Sequence, residues 1–315
     1  MLPRMRRAMV TAVLMLGGCT FQASPGWPRP ALPLPRWAGV EASVMLPRLE
    51  EFVERDGEAH GVLQGSGETV RFQLRRASPG PRPAALVLLV PILAGGEELM
   101  AQVAGRMCAR GFDVAFCARA GSALKPPQRA PELDELFRRT VLHQRLLLAW
   151  LRGPENVAPA AVFLLGMSMG GMVTTVLGAL EPDVAGIAIC LSGGDLASLV
   201  VASSESRVQR WVDWRVATDG VGQDQLQWEL HEFLRHEPLA FAATIPTAKV
   251  LFVSARFDSV VPERNRDLLW EALGRPARLE VPLGHYSTAL VIEAVLAAAA
   301  AHFESRVPHP AGASP

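Results

Sequence analysis

The chain has 315 residues with 31 basic and 31 acidic side chains, so its formal charge is zero. Half of the residues are hydrophobic and a fifth charged, which excludes a disordered polyelectrolyte and a nucleic-acid binder driven by net charge. Four cysteines (Cys19, Cys108, Cys117 and Cys190) without a C-x-x-C pair make no disulfide framework and no zinc signature.

At the N-terminus Arg4, Arg6 and Arg7 precede the short apolar run Ala8 to Leu16, an export-signal pattern too short to cross a bilayer as a mature helix. The tetrad Leu16-Gly17-Gly18-Cys19 resembles the lipobox of bacterial lipoproteins. The resemblance implies that residues 1–18 are removed, that Cys19 carries a diacylglyceryl group as the new N-terminus, and that the protein is membrane-anchored in the cell envelope. Thr20 stands where aspartate would signal inner-membrane retention, which points to the outer membrane. Cleavage takes away three arginines and no acid, leaving a charge of −3, too small to steer a partner. Residues 19–40 then read as an anchored linker. Its run Ser24 to Pro35 is rich in proline, which lacks the N–H that helices and central strands need, and is expected to be an extended spacer. Residues 41–306 form the domain, and 307–315 a loose tail.

Two periodicities alternate through the domain. His60 to Gln64 and Thr69 to Arg75 alternate as a hairpin around Gly65-Ser66-Gly67, and Ala84 to Val90 is a continuous apolar run, a strand covered on both faces. Leu99, Val103 and Met107 mark a helix stopped by Gly111; Phe112 to Cys117 is the next strand, and Pro131 to Leu151 a long helix. Val162 to Leu165, Met169 to Leu180 and Val184 to Leu191 continue as strand, helix and strand. After an interruption come a strand from Lys249 to Ser254, a helix from Pro262 to Leu273, a strand from Arg278 to Val281, and a helix from Ser287 to Phe303. This order predicts an α/β architecture, a mostly parallel sheet with helices on both faces. Between Asp195 and Ile245 the rhythm breaks into two amphipathic patterns, Val208-Trp211-Val212 and Leu226-Leu230-Phe233-Leu234, predicting a helical cap over the mouth of the site. Its aromatics Trp211, Trp214, Trp228 and Phe233 either pack the cap or line an acyl pocket.

Gly166-Met167-Ser168-Met169-Gly170 matches G-x-S-x-G and lies between a buried strand and a helix, the context of a nucleophile elbow. A serine hydroxyl needs a base to take its proton, and the base needs an acid to fix its tautomer. Two candidates follow later strands in the order Ser, Asp, His: Asp258 within Asp258-Ser259-Val260-Val261-Pro262, and His285 within Gly284-His285. With these motifs the chain resembles serine hydrolases of the α/β-hydrolase fold, dienelactone-hydrolase-like and peptidase-like members among them, from residue 60 to 303. The resemblance implies a carboxylesterase-type serine hydrolase, with Ser168 as nucleophile, His285 as base and Asp258 as acid. Asp195, which follows the strand after the elbow, is the rival acid.

The oxyanion donors implied are the backbone N–H of Met169 and that of Leu93, with Ile92 as an alternative. Pro91 stands where the superfamily's His-Gly usually begins. The other histidines read as solvated or core residues, and His231 and His236 are five apart, a poor spacing for a metal. No metal or organic cofactor is implied. The partners implied are a small or lipid-like acyl substrate and the membrane through Cys19; nothing indicates nucleic acid or fixes an oligomeric state. A thioesterase or peptidase of the same fold, or an anchored scaffold that has lost catalysis, remain as alternatives.

Overall fold

The computed structural model describes residues 18–23, 44–77, 84–93, 97–153 and 156–308. The export signal up to residue 17, the proline-rich run and the tail beyond 308 lie outside them. Ten strands form one sheet: β1 (Thr20–Gln22), β2 (Arg48–Arg55), β3 (Glu58–Gly65), β4 (Glu68–Arg75), β5 (Leu86–Val90), β6 (Asp113–Cys117), β7 (Val162–Met167), β8 (Gly186–Cys190), β9 (Val250–Ala255) and β10 (Ala277–Val281). Their spatial order is β1-β10-β9-β8-β7-β5-β6-β4-β3-β2. The six from β10 to β6 are parallel, and β1, β4, β3 and β2 pair antiparallel.

Strands β5, β7, β8 and β9 are buried at every position because helices cover both sides. On one face Leu86, Leu88 and Val90 pack with α2 (Ala130–Arg152), α3 (Met169–Leu180) and α8 (Glu263–Ala272). On the other, Val87 and Leu89 pack with α1 (Glu97–Cys108) and α9 (Ile292–Glu304). The parallel part starts at β5, steps outward to β6, returns across β5 to β7 and continues through β8, β9 and β10. That reversal opens a crevice between the carboxyl ends of β5 and β7, where an open α/β sheet offers space for a ligand.

The β3–β4 hairpin turns on Ser66 and Gly67 at φ 50° and 77°, the pair of positive φ values a two-residue turn requires. Two strands have no counterpart in the sequence pattern. Strand β2 is exposed along all eight residues and so lacks an alternating apolar face. Strand β1 falls inside the stretch read as a linker, yet it pairs with β10 at the far edge of the sheet. Strands β1 and β2 therefore lie at opposite edges of the sheet, and the first described strand begins at Thr20.

The final helix is also modified: Ser287–Val291 is a 3-10 turn, and the α-helix starts at Ile292. Ser287–Glu304 is the one segment among the described residues long and apolar enough to cross a membrane, but Leu296, Ala299 and Phe303 on it are buried against the sheet.

The cap has four helices where the sequence shows two: α4 (Leu196–Ala202), α5 (Ser206–Asp219), α6 (Gln223–Phe233) and α7 (Pro238–Ala242). Val208, Trp211, Val212, Leu226 and Leu230 form its own core, seated on Ala130 and Leu133 of α2. Trp211 is fully buried and its indole N–H donates to the Gln128 carbonyl at 3.0 Å.

One ion pair ties the hairpin to α2. Arg139 donates twice to Glu68 at 2.7 Å, and His143 Nε2 lies 2.9 Å from the same carboxylate. The Arg139 hydrogen bond, with help from His143, holds the Glu68 carboxyl down at about 2. A carboxyl held low in the fold contributes stability above its ordinary 4.5, which is lost as pH falls toward about 2. Glu68→Gln should thus lower the melting temperature near neutrality and flatten its decline below about pH 5. An acid limb parallel to wild type would show that the pair contributes nothing.

Candidate active site

The turn from β7 into α3 lifts Ser168 out of the sheet at φ 54°, ψ −127°, a conformation L-residues avoid unless the surroundings impose it. Glycines make it possible. A Cβ on Gly166 would strike the Thr174 hydroxyl and the Gly170 carbonyl, and one on Gly170 would lie 2.6 Å from the Val90 carbonyl. The Ser168 N–H donates to Cys190 O at 2.8 Å, fastening the turn to β8.

His285 follows β10, and its Nε2 lies 3.1 Å from Ser168 Oγ. Its Nδ1 is 2.7 Å from Asp258 Oδ2. The other Asp258 oxygen accepts the N–H groups of Val260 and Val261, both at 2.9 Å. The run Asp258 to Pro262 is thus a carboxylate cradle, with its two amides supplied by the valines and its exit supplied by Pro262 at the start of α8. Ser287 Oγ accepts from the Gly284 N–H at 2.9 Å, and Thr288 Oγ1 donates to the Gly284 carbonyl at 2.8 Å, which shapes the loop holding His285. Ser168, His285 and Asp258 come together from three separate strands.

Asp195 is engaged elsewhere. Its carboxylate accepts from Ser198 N–H, capping α4, and from Arg264 Nη1 at 2.9 Å. These bonds lower its pKa against the upward push of burial. The same corner holds a group the motifs do not reveal. Glu237 is half-buried and accepts from the Asp195, Leu196 and Leu239 N–H groups at 2.8, 2.5 and 3.0 Å, joining α7 to α4. Burial pushes its carboxyl up despite those donors.

Met169 is the first residue of α3, so helix geometry leaves its N–H without an intrahelical acceptor, directly after Ser168. Leu93 and Ile92, after β5, both line the cavity that opens at the serine. That cavity holds about 380 Å³, within the range of small-molecule sites. It passes Ser168 from Leu99, Ile292 and Val295 on one side to Leu136, Val200 and Leu234 on the other, and its walls are chiefly apolar. None of the four cap aromatics lines it: Trp211 is core, while Trp228 and Phe233 are 64% and 46% exposed. Tyr286 does line it, edge-on to the His285 ring at 5.3 Å between centroids. Burial and the Glu205 carboxylate close by push its phenol up. Among the described residues no group of three or more His, Cys, Asp or Glu could hold a metal ion.

No protein-family model and no curated protein matches the sequence. Solved structures do match in fold. A cold-adapted esterase from an Arctic intertidal metagenomic library superposes with a TM-score of 0.56 at 15% identity, covering 84% of this chain and all of its own. Acetyl xylan esterase 1 from Thermoanaerobacterium sp. gives 0.56 at 15%, covering 85% and 96%. A 2,6-dihydroxy-pseudo-oxynicotine hydrolase gives 0.59 at 18%, covering 79% and 68%. The chain has the α/β-hydrolase fold. At these identities the likeness is one of fold, and function has to be argued from the site.

Proposed function

We propose that the protein is a serine hydrolase of carboxylesterase type that cleaves an acyl ester through an acyl-enzyme on Ser168. The observation that carries this is the continuous chain Ser168 Oγ–His285–Asp258, at 3.1 and 2.7 Å, opening on an apolar cavity. Several neighbours in fold are described as esterases, in agreement with this reading. His285 Nε2 takes the Ser168 proton as Oγ attacks the ester carbonyl. Asp258 keeps the other ring nitrogen protonated and balances the imidazolium. The carbonyl oxygen gains negative charge in the transition state and is met by the N–H groups of Met169 and Leu93, each contributing about 3 kcal/mol. Because these donors are backbone groups, the departure from His-Gly at Pro91 leaves the role open to whichever residue follows β5. His285 then returns the proton to the leaving alcohol, and water, activated in the same way, releases the acid.

The cavity walls favour an acyl group of some length over acetate. Val200→Trp should fill the cap side of the cavity and lower kcat/KM on octanoyl and longer esters by about 10-fold relative to acetyl esters. An equal loss on both would place the acyl group elsewhere. A fluorophosphonate probe should label wild type and fail on Ser168→Ala. If wild type neither labels nor turns over any ester, the fold serves as a scaffold instead.

We further propose that Cys19 is acylated after export, anchoring the protein in the cell envelope, at the outer membrane.

A further inference from the structure

The anchor and the serine lie at the same end of the sheet. Strand β10 runs toward His285, and β1 runs against it, with Thr20 opposite Glu280 and Gln22 opposite Arg278. Cys19 therefore sits beside the carboxyl end of β10. An added Cβ on Gly18, one residue earlier, would touch Pro282 Cγ at 3.3 Å. Four strand spacings separate β1 from β7, so Cys19 stands roughly 19 Å across the sheet from the elbow. No spacer intervenes between Cys19 and the body, because β1 begins at the next residue.

The loops at this end carry large apolar side chains that stand exposed among the described residues. Phe257, after β9, is 66% exposed; Tyr286 and Leu290, after β10, are 67% and 83% exposed. The Phe257 N–H donates to Leu283 O at 3.0 Å, so both loops form one rim. Tyr286 and Ala289 on that rim also line the cavity, which makes the apolar surface continuous from the outside to Ser168. Exposed apolar surface continuous with a binding site marks an interaction face. A tyrosine there suits a boundary between water and hydrocarbon, since its ring is apolar and its hydroxyl polar.

We propose that the rim formed by Phe257, Tyr286 and Leu290 rests on the bilayer that holds the acyl chains of Cys19, so that the substrate is an acyl ester drawn from that bilayer. The inference rests on the proposed hydrolase site and on the proposed anchor. A bilayer is the occupant because the point of lipid attachment is fixed beside the rim. Acyl chains entering a bilayer at Cys19 bring the ends of β9 and β10 to its surface. A membrane-embedded ester could then pass along Tyr286 and Ala289 into the cavity without crossing bulk water.

The test uses the full chain expressed with its own signal, extracted from membranes and reconstituted into phosphatidylcholine–phosphatidylglycerol vesicles. Phe257→Asp with Leu290→Asp alters the rim outside the cavity lining. It should lower hydrolysis of p-nitrophenyl palmitate dissolved in the vesicles by about 10-fold or more, and change the rate on soluble p-nitrophenyl acetate by less than about 2-fold. Equal losses on both esters, or no loss on either, overturn the proposal. A readout independent of catalysis is amide exchange in Ser168→Ala: reconstitution should slow exchange in residues 286–291 and leave residues 183–185, at the opposite end of the strands, unchanged. Slowing that depends on protein concentration in detergent indicates a second copy on the rim and overturns it as well. If wild type hydrolyses neither ester while 286–291 is protected, the hydrolase reading fails and the membrane face stands. If radiolabelled palmitate fails to enter wild type, or enters Cys19→Ser equally, the anchor fails and the inference with it.

Discussion

Ser168→Ala is expected to reduce kcat/KM on p-nitrophenyl butyrate by roughly 10⁶, and His285→Ala by a similar factor, because nucleophile and base act as one unit. For the same reason the double variant should be no slower than either single one. Asp258→Asn should cost roughly 10⁴: the geometry can persist, but an amide favours the wrong tautomer of His285. Asp195→Asn separates the two candidate acids. Its carboxylate is spent on Ser198 and Arg264, so its loss should leave the rate within a few-fold of wild type and act on stability instead. A rate for Asp195→Asn as low as that of Asp258→Asn would move the acid to Asp195. Melting temperatures measured alongside keep loss of chemistry apart from loss of fold.

Trp211→Ala should be the most damaging change in the cap, costing about 3–5 kcal/mol of stability. The side chain is wholly buried among Val208, Leu226 and Leu230, and truncation also leaves the Gln128 carbonyl without its indole donor. Trp228→Ala, at a position 64% exposed, should stay within about 0.5 kcal/mol. Neither should alter the preference among acyl chain lengths, because neither ring reaches the cavity. Urea unfolding measures the first effect, and relative kcat/KM on butyryl and octanoyl esters the second. A shifted preference with unchanged stability would mean that the cap rearranges to bring Trp211 to the substrate.

What the sequence discloses follows from how tightly each element constrains its residues. The elbow is legible because the turn admits only glycine at 166 and 170 and leaves one hydroxyl between a buried strand and a helix. Strands β5, β7, β8 and β9 are legible because burial on both faces demands unbroken apolar runs. Strand β2 escapes notice because it is exposed throughout and leaves no period to read. Strand β1 is three residues long, and its partner lies at the other end of the chain. In the cap, α4 and α7 span only seven and five residues, too few for a helical stripe to repeat. Glu237 looks like any surface glutamate until α7 turns it toward the start of α4. Both Asp195 and Asp258 follow strands and look alike in sequence; two amides and one imidazole on Asp258, against one amide and one arginine on Asp195, separate them only in three dimensions.

The pairing of β1 with β10 also sets an order of events. It closes a loop over nearly the whole chain, and contacts of such long range form late, since their entropy must be met before they contribute anything. Strand β10 and His285 leave the ribosome long after Cys19 does. An acylated Cys19 would then be held at the membrane before the edge it joins exists. The sheet would finish by bringing its newest strand, and the histidine loop behind it, to a tether already in place.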